Sequence, residues 1–152
     1  MANGMKILLT GKDGQIGFEL LRPLVPLGEV IALDYRQCDI SGVASLRALV
    51  RTVKPQVIVN PAACTAIDKA ESDREQAFAV NAVAPGILAE EARNLDALLV
   101  HYSTDYVLDG NRQGAYMESD LPNPQCVYGL SKYGGEQALQ VHGERYLIFR
   151  TS

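Results

Sequence analysis

The sequence is short of cysteine, of clustered basic residues and of long apolar runs, and each shortage excludes something. Its three cysteines, Cys38, Cys64 and Cys126, lie scattered through 152 residues without a CxxC pair. That rules out metal-finger spacing and reads as free thiols in a reducing compartment. Acidic residues outnumber basic ones, 18 to 14. No block of Lys and Arg marks a nucleic-acid footprint, so any phosphate must be held by local geometry. No apolar stretch approaches the roughly 20 residues that a membrane span needs. The opening Met-Ala-Asn-Gly-Met-Lys lacks the basic and then apolar pattern of a secretory leader. A cytoplasmic chain with no membrane and no nucleic-acid partner is expected. Repeats, low complexity and linkers are absent, and 47% apolar residues suffice for the core of one domain.

What is present is a rhythm. Residues 5–10, 29–34, 56–61, 97–103 and 145–150 are short runs rich in Val, Ile and Leu without strict alternation, as strands covered on both faces should be. Helical spacing fills the gaps. Phe18, Leu21, Leu24 and Val25 share one face, as do Val43, Leu46, Val50 and Val53, with Pro55 closing the second helix. Residues 70–94, rich in Ala and Glu, and 127–142 continue the pattern. Strands alternating with helices predict right-handed crossovers and a doubly wound α/β fold with a parallel sheet, Rossmann-like, over residues 1–152. Residues 104–126 break the rhythm with Gly and Pro, making a long loop where such folds place chemistry.

The first strand runs into Thr10-Gly11-Lys12-Asp13-Gly14-Gln15-Ile16-Gly17. Gly11 permits a tight turn, Gly14 lets a pyrophosphate approach backbone N–H groups, and Gly17 lets helix and strand pack closely. The helix N-terminus adds partial positive charge. The bland alternative is a plain glycine-rich turn. Asp34 ends the second strand about twenty residues on, where a carboxylate can accept from an adenosine ribose; Arg36 could instead pair with a 2′-phosphate. Both NADH and NADPH therefore stay open, as does a simple turn role for Asp34.

Tyr128-Gly129-Leu130-Ser131-Lys132 sets a phenol and an ammonium at i and i+4 on one helix face. A nearby positive charge is expected to pull the phenol's pKa down toward the working range. Ser103-Thr104-Asp105 lies where the fourth strand ends, and a hydroxyl there can hold a substrate carbonyl. An exposed helix pair and an ordinary turn are the competing readings. His101 reads as a core or edge histidine. Asp68, Lys69 and Glu71 read as a charged helix start, and Asn81 as a residue able to bridge a helix irregularity.

Together, ILLTGKDGQIG (7–17), IALD (31–34), VIVNPAACTAIDKAE (57–71), VNAVAP (80–85), VHYSTDYVLDG (100–110), NPQCVYGLSKYGGEQAL (123–139) and YLIFRTS (146–152) resemble the extended short-chain dehydrogenase/reductase family. The resemblance covers nearly the whole chain, and the order of the blocks is more specific than any one motif. It implies an NADPH- or NADH-dependent oxidoreductase of nucleotide-sugar metabolism. The implied reaction reduces the C4 ketone of dTDP-4-dehydro-L-rhamnose to dTDP-L-rhamnose, a sugar of cell-surface polysaccharide. On this likeness Tyr128 would donate a proton, and Lys132 would hold the nicotinamide ribose and lower the phenol's pKa. Thr104 would bind the substrate oxygen beside Ser103 and Asp105. Gly11, Asp13, Gly14, Gln15, Ile16, Gly17, Asp34, Arg36, Asp39, Ile40, Ala62 and Ala63 would line the cofactor. No metal is implied, a dTDP-sugar is the partner, and a homodimer is left open.

Two departures and one boundary qualify the likeness. Cys64 stands where family members carry Tyr or His, and Leu108 where they carry an aromatic residue. The sequence ends at Ser152, where family members continue into a substrate-binding domain. The expectation is an N-terminal part of a longer reductase, weakly active or inactive alone. The competing class is a non-catalytic binding subunit on the same fold, like the regulatory subunit of methionine adenosyltransferase; fold alone does not separate the two. The conjunction of Thr104, Tyr128 and Lys132 favours the enzyme. Tyr106 following Asp105 counts against a dehydratase.

Overall fold

The computed structural model describes residues 4–152; the first three residues of the expected 1–152 domain lie outside the described residues. Five strands form one parallel sheet: β1 (Lys6–Thr10), β2 (Glu29–Leu33), β3 (Val57–Asn60), β4 (Leu98–Thr104) and β5 (Tyr146–Thr151). Their order across the sheet is β2-β1-β3-β4-β5. The chain therefore winds one way from β1 to β2 and the other way from β3 onward. The carboxyl ends of β1 and β3 flank the switch point, where a crevice must open between oppositely directed crossovers.

Helices cover both faces. On one side α1 (Gln15–Leu24) packs Leu20, Leu21 and Leu24 on Ile7, Leu9 and Val59. On the other, Leu8, Ile58 and Leu99 meet Leu46 and Val50 of α2 (Val43–Val53), Leu88 of α5 (Ala84–Asn94) and Leu139 of α6 (Val127–His142). Alternate residues of each central strand thus enter opposite cores, which is why these strands read as unbroken apolar runs. Each fully buried Leu or Ile contributes about 1.5–3 kcal/mol. Between β3 and α5 the chain forms two short helices, α3 (Ile67–Ser72) and α4 (Arg74–Phe78), and one wide π turn over Ala79–Val83.

Two expected helix faces need correction. Phe18 and Val25 are 66% and 64% exposed, and Val43 is 41% exposed. The orientation of α1 is set instead by Gly17, which is buried; a Cβ there would lie 2.0 Å from the Gly11 carbonyl oxygen. With Gly17 facing the sheet, positions three, four and seven residues on (Leu20, Leu21 and Leu24) follow it inward, and Phe18 turns to solvent. In α2 the buried residues are Leu46 and Val50. Lys54 closes that helix at φ 50°, its N–H donating to the Val50 carbonyl, so the stop comes one residue before Pro55.

Gly17→Ala is expected to lower the unfolding free energy by about 1–3 kcal/mol, because the obstructing atom is backbone and cannot rotate away. Urea denaturation checks this. A loss under about 0.5 kcal/mol, the size of an ordinary surface change, would mean that the turn can relax.

Candidate functional site

A cleft of about 650 Å³ opens at the carboxyl ends of β1 and β3. Its floor is the glycine turn. Gly11 sits at φ 61°, and a Cβ there would come within 2.9 Å of Ala62, so the loops after β1 and β3 touch backbone to side chain. Gly14 starts α1 with no side-chain cap and no acidic residue in the first turn. The leading N–H groups of the helix therefore face the cleft mouth without a built-in anion. Gly11, Asp13, Gly14, Gln15, Ile16 and Gly17 line this end. Asp39, Ile40, Ala62 and Ala63 line the walls, and Thr104, Tyr128 and Lys132 line the far end. The uncapped helix start and the glycine backbone suit a pyrophosphate.

Four contacts seat α6, the helix that carries Tyr128 and Lys132. At its start the Val127 N–H donates to Glu71 Oε1 at 2.8 Å. A Cβ on Gly129 would sit 2.2 Å from the Tyr106 carbonyl oxygen, and one on Gly135 would sit 2.3 Å from that of Asn81. Only glycine allows either approach. Asn81, buried in the π turn, accepts from the Cys64 N–H (2.9 Å) and donates to the Cys64 carbonyl (3.1 Å) and to Ser131 Oγ (3.0 Å). Ser131 in turn donates to the Tyr128 carbonyl at 2.8 Å. The wall that follows β3 and the turn that carries the phenol are thereby joined through one amide.

The phenol ring of Tyr128 packs edge-on against Tyr106, with centroids 5.5 Å apart. Thr104 Oγ1 donates to Asp105 at 3.2 Å and accepts from the Tyr106 N–H. Here one expectation is reversed. The Tyr128 pKa is raised, foremost by burial; the Thr104 hydroxyl opposes this, and Asp105 adds to it. Lys132 is not among the groups that act most on the phenol. Its ammonium, 2% exposed, donates to the Tyr102 carbonyl at 2.6 Å. Burial pulls its own pKa down to about 8, with Glu136 opposing. Spacing along a helix shows that the two residues share a face, but not that the longer side chain reaches past the phenol to β4.

Asp34 and Arg36 do not line this cleft. Asp34 Oδ1 accepts from the Gln37 N–H at 2.9 Å, and Oδ2 lies 3.4 Å from Lys12 Nζ. The Gln37 contact, more than Lys12, holds its carboxyl below the usual carboxylate range. Arg36 is exposed. Asp105 lines a second cavity of about 510 Å³ beside Glu136 and Arg150. Asp39 turns onto Ser41, and Ile40 is largely a core residue. Lys69, Gln76 and Tyr102 were not among the expected site residues. Lys69 and Gln76 line the cleft; Lys69 belongs to the charged helix start of the 57–71 block, which has no expected site role, and no motif marks Gln76. Among the described residues no cluster of His, Cys, Asp and Glu could hold a metal ion, and no helix is long and apolar enough to cross a membrane.

This fold and cleft define a doubly wound, Rossmann-like α/β domain that opens a cleft at the switch point of its parallel sheet. Residues 5–152 match the family described as the RmlD substrate binding domain, and the chain belongs to that family. It is 47% identical over 152 residues to the dTDP-4-dehydrorhamnose reductase of Escherichia coli (strain K12), covering 97% of this chain and 51% of that protein. The crystal structure of a dTDP-4-dehydrorhamnose reductase from Clostridium acetobutylicum ATCC 824 superposes with a TM-score of 0.94 at 40% identity, over 97% of this chain and 53% of that one. The Bacillus anthracis str. Ames reductase, solved in complex with NADP, gives 0.94 at 35% identity over 100% and 55%. The chain spans about half the length of these relatives.

Behind the cleft, Thr10 Oγ1 donates to Asn60 Oδ1 (2.6 Å), and Asn60 Nδ2 meets His101 Nδ1 (3.1 Å). His101 is fully buried and its pKa is pushed down to about 3 by burial, with Lys132 adding to the effect. The unfolded imidazole takes a proton near pH 6.5 and the folded one does not, so its contribution is complete above about pH 6.5 and shrinks as pH falls toward 3. His101→Gln is expected to remove about 2 kcal/mol of the stability lost between roughly pH 6.5 and pH 5. Urea titrations at the two pH values check this; an unchanged pH slope would mean that the buried imidazole does not govern it.

Proposed function

We propose that this chain is the cofactor-binding half of an NADPH- or NADH-dependent sugar-nucleotide reductase, reducing the C4 ketone of dTDP-4-dehydro-L-rhamnose to dTDP-L-rhamnose. The observation that carries the reading is the convergence of Thr104, Tyr128 and Lys132 at the end of a cleft whose other end is an uncapped, glycine-lined helix start. Family membership and the names of the relatives point the same way. A reduced nicotinamide supplies hydride to the carbonyl carbon when bound. The protein supplies the rest. The Thr104 hydroxyl orients the carbonyl oxygen, and the phenol of Tyr128 gives up its proton as that oxygen becomes an alkoxide. A phenol whose pKa burial has raised is fully protonated at neutral pH, the state a proton donor needs. Lys132 has two further N–H donors beyond the one on Tyr102 with which to hold ribose hydroxyls.

Alone, the chain is expected to bind nucleotide weakly and to turn over little, since it spans half of its relatives. A non-catalytic subunit would have no use for a hydroxyl, a phenol and a buried ammonium brought to one cleft. Cytoplasmic location, which the unpaired cysteines favour, and self-association as a homodimer belong to the same reading. In the full-length gene product, Tyr128→Phe is expected to lower kcat about 10²–10⁴-fold, with little change in KM, when assayed with the dTDP-4-keto sugar. A kcat within a few-fold of the parent would remove Tyr128 as the proton donor.

A further inference from the structure

Three neighbouring residues of α3 have three destinations. Lys69 lines the cleft. Ala70 is fully buried in a cluster with Ala77 and Val127, against which Tyr128 packs. Glu71 reaches across to α6, where its Oε1 accepts from the Val127 N–H at 2.8 Å. Glu71 is the next-to-last residue of α3 (Ile67–Ser72), the end where a helix dipole disfavours a carboxylate. It is therefore badly placed for its own helix, whose acidic start is Asp68, and well placed for the N-terminus of another. The cap that α6 supplies for itself is poor. Its capping residue is Cys126, whose Sγ accepts from the Gly129 N–H at 3.4 Å. A thiol is a weak acceptor and is not among the side chains that cap helices well. The first turn of α6 also holds no acidic residue, so a carboxylate brought from α3 provides what that helix end lacks.

We propose that Glu71 is a positioning residue for the proton donor: by capping α6 from α3, it fixes the first turn of that helix and, with it, the depth at which the Tyr128 phenol enters the cleft. Tyr128 follows Val127 directly, so whatever anchors the Val127 N–H anchors the backbone that carries the phenol. Of the four contacts that seat α6, those at Gly129, Ser131 and Gly135 come after Tyr128 in the chain. Glu71 holds it from the other side. An uncapped first turn frays, and a displacement of about 1 Å at a reacting group can cost on the order of 10²-fold in rate. The inference rests on the reading above that Tyr128 gives up the proton.

The test is a double-variant cycle in the full-length gene product, assayed with the dTDP-4-keto sugar and NADPH. The variants are Glu71→Ala, Glu71→Gln, Tyr128→Phe and Glu71→Ala/Tyr128→Phe. Glu71 is exposed, and circular dichroism at the assay temperature confirms that each variant is folded. Glu71→Ala is expected to lower kcat about 10-fold to 10²-fold while KM changes little. Glu71→Gln keeps an oxygen acceptor at the same reach and should restore kcat to within about threefold of the parent. In the Tyr128→Phe background, Glu71→Ala should lower kcat no further, because no proton donor is left to position. A parental kcat in Glu71→Ala, a Glu71→Gln variant as impaired as Glu71→Ala, or an equal loss in both backgrounds overturns the assignment. A parental kcat in Tyr128→Phe is a different result: it removes the proton donor itself, and this inference with it.

Discussion

The structure depends on a contact between backbones. At the end of β1 the chain turns so tightly that Gly17 lies against the Gly11 carbonyl and Gly11 lies against Ala62. These two approaches bring α1, β1 and the loop after β3 to one point, at the place where the strand order reverses. A side chain at either glycine would push a wall of the cleft outward. The same closeness leaves the start of α1 uncapped and so supplies local positive potential in a chain whose net charge is −4. Phosphate affinity in an acidic protein must come from such oriented dipoles and not from its overall charge.

A second set of close approaches sets the chemistry at the opposite end of the cleft. Gly129 under the Tyr106 carbonyl and Gly135 under the Asn81 carbonyl let α6 settle deep enough that Lys132 is buried and Tyr128 half-buried. The π turn matters here because its extra residue per turn points the Asn81 side chain at Cys64 and Ser131 while its carbonyl meets Gly135. Burial then has opposite effects on the two titratable groups, raising the phenol and lowering the ammonium. Their pKa values, near 10.0 and 10.5 in water, are driven apart by desolvation.

Much of this was legible in the sequence, and what was not has identifiable causes. The central strands showed because both faces are buried, which leaves no polar alternation to confuse them, and β5 showed because even its exposed positions, Leu147 and Phe149, are apolar. The glycine turn and the Tyr128–Lys132 spacing showed because each is local. Phe18 and Val43 were misplaced because an apolar residue at helical spacing names a stripe but not its orientation, which the Gly17 contact decides. Lys12 was not read as a partner of Asp34 because the fold places the ends of β1 and β2 side by side without saying where a long side chain at a variable position of the turn is directed. The direction of the Tyr128 shift was missed for a related reason: the carbonyl that draws Lys132 away belongs to Tyr102, thirty residues earlier.

Lys132 also shows where stability has been given up for a site. Its ammonium is among the most buried groups in the molecule, yet among the described residues it makes one hydrogen bond, to Tyr102. The nearest acid on its own helix, Glu136, is also buried but is committed through both oxygens to Arg150, at 2.9 and 2.7 Å. A chain selected only for stability would pair Lys132 with that acid or replace it by an apolar residue of similar volume, since a buried cation with unused donors is costly. The depressed pKa of about 8 is the signature of that cost. Such a group persists where an outside acceptor completes it, and the cleft that Lys132 lines is where that acceptor would enter. The arrangement of Glu136 and Arg150 therefore contributes by holding the acid back, which leaves the ammonium free to meet a ligand.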